Sequence, residues 1–134
     1  MGTVKTGVTL DKDLLEKLNR FMEAMGYTSR SRLINEALNI YIVERSALLE
    51  EGKAVGIIAV VYEHHVGNIE HELTHIQHDY IDIIISTLHV HLDEANCLQI
   101  IVVRGSISKI KSLIVELEEK RGIKILRHIL SKID

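Results

Sequence analysis

The order of the apolar segments after Gly52 constrains the fold of this chain more than any other feature. Short apolar runs typical of strands alternate with longer amphipathic segments of helical periodicity. The expected strands cover residues 54–62, 83–92, 97–103 and 123–130, and the expected helices cover 66–80 and 106–121. The resulting order is βαββαβ, which predicts an antiparallel sheet of four strands with both helices on one face.

Two histidines and the only cysteine of the chain lie close together, in a segment that begins at His89 and ends at Cys97. Residues two apart on a strand share a face, so His89 and His91 are expected to project the same way. A hairpin turn after His91 would place Cys97 opposite His91 on the next strand. The same register would place Gln99 opposite His89, and three donors would then converge without long-range assumptions.

The chemistry of these donors restricts which metal they could bind. Two imidazoles and a thiolate suit zinc, copper or nickel and argue against magnesium or calcium, which prefer oxygen ligands. The alternative is structural, because a buried free thiol packs as a small apolar residue. We expect the donors to project from the sheet face away from the helices. That face would also carry Ile83, Ile85, Ile101 and Val103. An apolar face of this kind predicts burial against another subunit.

The expected helix over 66–80 carries a row of histidines on the side opposite its apolar stripe. The row is His71, His75 and His78, and the stripe is Val66, Ile69, Leu73, Ile76 and Tyr80. Such a row is typical of a solvated face, but it could also offer a donor to a neighbouring subunit. The remaining histidines are weaker candidates: His64 and His65, expected in a loop, and His128, which has no companion in its strand.

The first fifty residues predict a strand followed by two helices. Residues 4–9 alternate as a strand does, and an isolated strand in such a unit is expected to pair with its twin in a second chain. Asp11 and Gly26 are the expected caps of the first helix, and Ser29 caps the second. The paired strands would form a ribbon narrow enough for the major groove of DNA. The exposed face of that ribbon would carry Lys5, Gly7 and Thr9.

Composition gives this DNA-binding hypothesis no support of its own. The net charge is −3, whereas nucleic-acid binding usually leaves a basic footprint. A single cysteine excludes an internal disulfide and fits a reducing compartment. Neither a signal-peptide pattern nor an apolar stretch of transmembrane length is found in the sequence, so we expect a cytoplasmic protein with no membrane partner.

A strand-helix-helix unit over residues 1–50, followed over 51–134 by a βαββαβ domain bearing His-x-His-x₅-Cys, resembles the nickel-responsive transcriptional repressors. Leu88-His89-Val90-His91 and Cys97-Leu98 are close to the signature of that family, and Gly26-Tyr27-Thr28-Ser29-Arg30-Ser31 is similar to the turn of ribbon-helix-helix repressors. The resemblance implies an α+β fold, in which a ribbon-helix-helix unit precedes a ferredoxin-like, ACT-type domain. The likeness runs nearly end to end.

The resemblance also implies a ligand set and an assembly. One Ni(II) per subunit would be bound by His89, His91 and Cys97 together with a histidine of the facing subunit, and Thr74-His75-Ile76-Gln77-His78 matches the segment that supplies it, through His78. A shell of three imidazoles and a thiolate suits Ni²⁺ or Cu²⁺, whereas zinc prefers a tetrahedral shell. Supporting contacts are expected from Gln77, Gln99 and Tyr62. The assembly would be a homotetramer, a dimer of dimers with the DNA-binding dimers at its ends.

Operator DNA is the implied partner. The expected contacts are Lys5, Gly7 and Thr9 on the ribbon, and Ser29 and Arg30 at the start of the second helix, where free backbone N–H groups would grip a phosphate. This sequence departs from the family at several positions. Gly7 offers no side chain for base contacts, Gln99 replaces an acidic residue of some members, and Arg32 replaces a carboxylate at the domain junction, although Glu36 remains.

Three other interpretations compete with a nickel-dependent repressor of nickel uptake genes. A metalloenzyme is disfavoured, because a site filled from two chains offers no open coordination position. An amino-acid-sensing regulator would use the same βαββαβ domain to bind a small molecule instead of a metal. A metal-independent ribbon-helix-helix regulator or dimerisation module would bind neither a metal ion nor a small molecule.

Overall fold

The computed structural model describes residues 2–134. The chain forms two compact units, one ending at Ile40 and the other spanning Tyr41–Asp134. The division falls within a helix that the sequence assigns to the first unit, α2 (Arg30–Ser46). A short 3₁₀ helix, Ala47–Leu49, follows α2. None of the helices in this described range is long and apolar enough to cross a membrane.

The first unit contains helix α1 (Lys12–Met25) and most of α2. Gly26 ends α1 in the left-handed conformation, with φ 74°, as its sequence position predicts. Ser29 caps α2 as predicted, because its Oγ accepts the backbone N–H of Arg32 at 3.2 Å. Asp11 precedes α1, but its side chain accepts no capping hydrogen bond. Residues 2–11 belong to no helix or strand, and a strand there requires a partner, so the ribbon stays a prediction.

The second unit has the predicted βαββαβ order. Its elements are β1 (Lys53–Glu63), α3 (Ile69–Asp79), β2 (Ile84–His91), β3 (Asn96–Ser106), α4 (Ile107–Glu118) and β4 (Ile123–Lys132). The strands form one antiparallel sheet in the order β2-β3-β1-β4, which is the ferredoxin-like arrangement. The apolar stripe of α3 is buried as predicted through Ile69, Leu73 and Ile76, and five residues of α4 complete the core from the same side.

The predicted face of the donors is wrong. Cys97, Ile101 and Val103 are buried in the core that the helices cover, not on the opposite face. Ile83 is also buried in this core, whereas Ile85 is exposed. The alternation along β3 agrees with the predicted strand, but both faces of β3 are apolar, so its pattern does not say which face the helices cover. His89 and His91 therefore project on the helix side, at the edge of the sheet where β2 lies.

The face away from the helices is mostly aliphatic, although Arg104, Arg127 and Ser131 also lie on it. Its apolar residues are Val55, Ile57, Ala59, Val61, Leu88, Val90, Leu98, Ile100, Val102, Ile125 and Ile129, as the strand registers place them. Leu88, Ile125 and Ile129 are 57%, 55% and 72% exposed. The prediction of an apolar second face therefore holds for a different set of residues.

Candidate metal centre

The β2–β3 hairpin places the histidines beside the cysteine. His91 pairs with Cys97 and His89 pairs with Gln99, which confirms the predicted register. The turn is fixed by Asp93, whose Oδ1 accepts the backbone N–H groups of Ala95 at 2.9 Å and Asn96 at 2.8 Å. An aspartate that bonds the backbone two and three residues ahead closes a tight turn and so fixes the strand pairing that follows.

One donor atom from each of His89, His91 and Cys97 lies within 4.8 Å of the others. Cys97 Sγ lies 3.5 Å from His91 Nδ1. Metal bonds of about 2.0–2.3 Å separate the donors of one shell by roughly 3–4.5 Å, so these three atoms are close enough to enter one coordination shell with only small shifts. The sulfur is buried, whereas both imidazoles are exposed at the sheet edge.

The cysteine is a thiol when no metal is bound. Burial raises the pKa of Cys97, and the nearby Glu70 carboxylate raises it further. Because the thiolate is the form that coordinates a metal, binding must displace this proton.

Tyr62 determines which nitrogen of His89 is free. Its hydroxyl donates to Glu70 Oε1 at 2.9 Å and accepts the Gln99 amide at 3.1 Å. The same oxygen lies 3.2 Å from His89 Nε2. Burial raises the pKa of Tyr62, so the group keeps its single hydrogen, which is already directed to Glu70. A neutral His89 then donates from Nε2 to Tyr62, and this tautomer leaves a lone pair on Nδ1.

The residues predicted to support the ligands form one chain of hydrogen bonds. Thr87 Oγ1 donates to Gln77 Oε1 at 2.8 Å, and Gln77 donates to Gln99 Oε1 at 2.6 Å. Gln99 is buried and passes the chain on to Tyr62. The contact with an imidazole is made by Tyr62 rather than by Gln99 directly. These hydrogen bonds hold α3 against β2 and β3 beside the metal donors.

His78 lies apart from the donors of its own chain. It is exposed on α3, and neither group of potential ligands among residues 2–134 includes it. With Gln77, His89 and Gln99 it lines an open surface cavity of about 340 Å³. His71 and His75 are exposed on the same helix, as predicted. The expected role of His78 in a facing subunit stays a prediction.

Sequence reasoning missed two residues beside the sulfur. His64 Nδ1 lies 3.3 Å from Cys97 Sγ, and donor atoms of His64, Glu70 and Cys97 also fall within 4.8 Å of one another. The signal for His64 was available, since it follows β1 directly and Tyr62 of that strand pairs with Cys97. Glu70, in the first turn of α3, reaches the sulfur only through the packing of the helix on the sheet.

The five predicted DNA contacts lie in the first unit, and all of them are exposed. Lys5, Gly7 and Thr9 are exposed in the segment before α1. Arg30 donates to Asn19 Oδ1 at 3.0 Å, which ties the start of α2 to α1. Arg32 pairs with Glu36 at 3.1 Å, so the carboxylate that remains at this position already has a cationic partner.

The second unit matches a known protein family, and known proteins are similar to this chain over nearly its whole length. Residues 55–131 match the family model described as the NikR C-terminal nickel-binding domain. A protein of Dictyoglomus turgidum named "Putative nickel-responsive regulator" is 46% identical over 125 residues, covering 93% of this chain and 90% of that protein. A protein of Pyrococcus furiosus with the same name is 41% identical over 124 residues, covering 92% of this chain and 90% of that protein.

A solved structure shows the fold alone. An uncharacterized protein of Thermotoga maritima superposes with a TM-score of 0.55 at 16% identity, and the match covers 60% of this chain and 100% of that chain.

Proposed function

Because this chain belongs to the NikR family of nickel-responsive regulators, we propose that it binds operator DNA when Ni(II) is bound and represses nickel uptake genes. The family is regulatory rather than catalytic. The observation that carries the proposal is the convergence of His89, His91 and Cys97 at the end of one hairpin.

The donor chemistry fits nickel. Imidazole and thiolate are ligands that Ni²⁺ takes readily, whereas an all-oxygen shell would favour Mg²⁺ or Ca²⁺. The hydrogen bond from His89 Nε2 to Tyr62 leaves Nδ1 as the ligating atom. When bound, the metal supplies a fixed positive centre that neutralises the Cys97 thiolate and joins its ligands rigidly.

Three donors from one chain leave a metal shell open, and His78 of the partner subunit is our candidate for the fourth ligand. Within one chain, His78 and His89 line the same open cavity. In a twofold-symmetric pair, take two neighbouring residues that lie near the axis. The first residue of one subunit faces the second residue of the partner, and the second faces the first. An axis close to this cavity would bring His78 of the partner subunit to His89, which gives one Ni(II) per subunit.

Two uncovered apolar surfaces support a homotetramer. In the second unit this is the aliphatic sheet face, and in the first unit α1 leaves Leu14, Phe21 and Met25 exposed. No residue of α1 is buried within the chain. Exposed patches of this kind mark interfaces, and two separate self-association surfaces are what a dimer of dimers requires. Pairing of residues 4–9 between chains would present Lys5, Gly7 and Thr9 to DNA, with Ser29 and Arg30 near the phosphates.

The test measures nickel and DNA binding on the same protein. Duplexes selected from a random library in the presence of Ni(II) supply the operator, and gel-shift affinities are then compared with and without the metal. We expect Cys97→Ala to lose nickel-dependent DNA binding. An amino-acid-sensing regulator would keep its response in this variant, and a metal-independent regulator would bind DNA equally well with a chelator present.

The fourth ligand has its own matched control. His78→Ala should weaken Ni(II) binding, whereas His71→Ala, an exposed histidine two turns earlier on α3, should not. Equal nickel affinities of these two variants would remove His78 from the ligand set.

A further inference from the structure

Cys97 belongs to two groups of potential metal ligands. One group adds His89 and His91 from β2, and the other adds His64 and Glu70. His64 lies in the turn after β1 and Glu70 in the first turn of α3, so the second group approaches the sulfur from different elements. The three residues of each group belong to one chain.

The second group has the geometry of a binding site. Its three donor atoms lie within 4.8 Å of one another, and His64 Nδ1 is 3.3 Å from Cys97 Sγ. The backbone N–H of His64 donates to Ala95 O at 2.8 Å, which fixes the turn beside the β2–β3 hairpin. Glu70 is held by the Tyr62 hydroxyl through Oε1, and its side chain is 44% exposed, so an ion can reach it from solvent.

The chemistry of the second group differs from that of the first. An imidazole, a carboxylate and a thiolate are the three kinds of ligand that Zn²⁺ uses, and water completes a tetrahedral shell around three protein ligands. The first group offers nitrogen and sulfur only. Ni²⁺ and Cu²⁺ prefer square-planar or tetragonal shells, so a tetrahedral shell of three protein ligands and one water suits Zn²⁺ better than either ion.

We propose that His64, Glu70 and Cys97 form a second metal site, contained in one chain and suited to Zn²⁺, that competes with the first group for the same thiolate. Zinc held there occupies the sulfur without recruiting His78 of the partner subunit. It therefore acts as a non-activating competitor of nickel. This last consequence rests on the proposed function, whereas the site itself does not.

The experiment uses the full chain and Zn²⁺ as the probe. Zinc affinity is measured by competition with a chromophoric chelator, and Co²⁺ serves as a spectroscopic substitute that reports a tetrahedral thiolate complex. Glu70→Gln keeps an oxygen that can accept the Tyr62 hydrogen bond but replaces the carboxylate with a poor ligand. Glu72→Gln makes the same change of charge on the same helix, outside either group.

We expect Glu70→Gln to weaken zinc binding by at least about tenfold, the lower end of what supporting residues contribute at metal sites. Glu72→Gln should bind zinc as the wild type does. His91→Gln should lose nickel affinity and keep zinc affinity, and His64→Gln should repeat the effect of Glu70→Gln. The visible spectrum of Co²⁺ should change in Glu70→Gln and not in Glu72→Gln.

Two results would overturn the second site: equal zinc affinities of Glu70→Gln and Glu72→Gln, or a loss of zinc binding in His91→Gln as large as the loss of nickel binding. The outcome for the proposed function is separate. If the wild type fails to bind Ni(II) while zinc binding depends on Glu70, the nickel proposal fails and the second site stands. If the wild type binds Ni(II) but zinc affinity does not depend on Glu70, the second site fails and the nickel proposal stands.

Discussion

Removal of the Tyr62 hydroxyl tests the hydrogen-bond network around the metal centre. Tyr62→Phe deletes one oxygen that makes three contacts, with Glu70, Gln99 and His89. Gln99 is buried, so its amide loses a partner away from water, and an unsatisfied buried polar group costs about 1–3 kcal/mol. His89 loses the acceptor that holds its proton on Nε2, and loss of such support lowers metal affinity by about 10–100-fold.

Two assays separate these effects. Urea unfolding without metal, at a fixed protein concentration, should show a midpoint lowered by about 0.5–1.5 M, given a slope of about 2 kcal/mol per M. Nickel affinity comes from chelator competition. Nitrogen NMR of the His89 ring should show protonation at Nε2 in the wild type and a mixture of tautomers in the variant.

Tyr80→Phe is the matched control for this variant. Tyr80 is also buried, and its hydroxyl donates to Glu116 at 3.0 Å, away from the cysteine. We expect it to lower stability by about 0.5–1.5 kcal/mol, the value of one hydrogen bond, and to leave nickel affinity unchanged. If Tyr62→Phe binds nickel as tightly as Tyr80→Phe, the Tyr62 hydroxyl does not support the metal centre.

Three further predictions follow from the site and the core. If nickel raises DNA affinity by about a hundredfold, the coupling is about 2.7 kcal/mol, so operator DNA must raise nickel affinity by the same factor; equal nickel affinities with and without DNA would exclude coupling. Mixing His78→Ala with Cys97→Ala should restore complete four-ligand nickel sites, which neither variant has alone, and no recovery of nickel affinity would exclude a shared site. Burial lowers the pKa of His128, whose Nε2 lies 3.2 Å from Glu44 O. The unfolded chain then binds a proton at His128 more readily than the folded chain does. The buried neutral imidazole therefore stabilises the fold fully above the ordinary pKa of about 6.5, and this stabilisation is lost as the pH falls below that value. Urea unfolding between pH 5 and 8 should show a smaller loss in His128→Gln, and parallel curves would contradict this role.

The sequence was most informative where interactions are local. The pairing of His91 with Cys97 could be predicted from a short turn. Asp93 closes the hairpin, and the two-residue period of the strands then places the donors on one face. The side of the sheet did not follow, because β3 carries apolar residues on both faces. The contact of Glu70 with the sulfur could not be found either, since it depends on how α3 packs on the sheet.

The corrected position of the donors separates two tasks that the sequence had assigned to one surface. His89 and His91 stand at the edge strand on the helix side, whereas the exposed aliphatic residues lie on the other side of the sheet. Subunits can therefore associate through the apolar face without covering the three donors of either chain, which stay open at the sheet edge to a fourth ligand from a different subunit contact. A charge placed on the apolar face, as in Ile129→Lys, should then weaken assembly while the three donors of each chain keep their spacing. Sedimentation of this variant measures assembly, and its zinc affinity reports whether the thiol site is intact. If assembly and metal binding shared one surface, the variant would lose both assembly and zinc affinity.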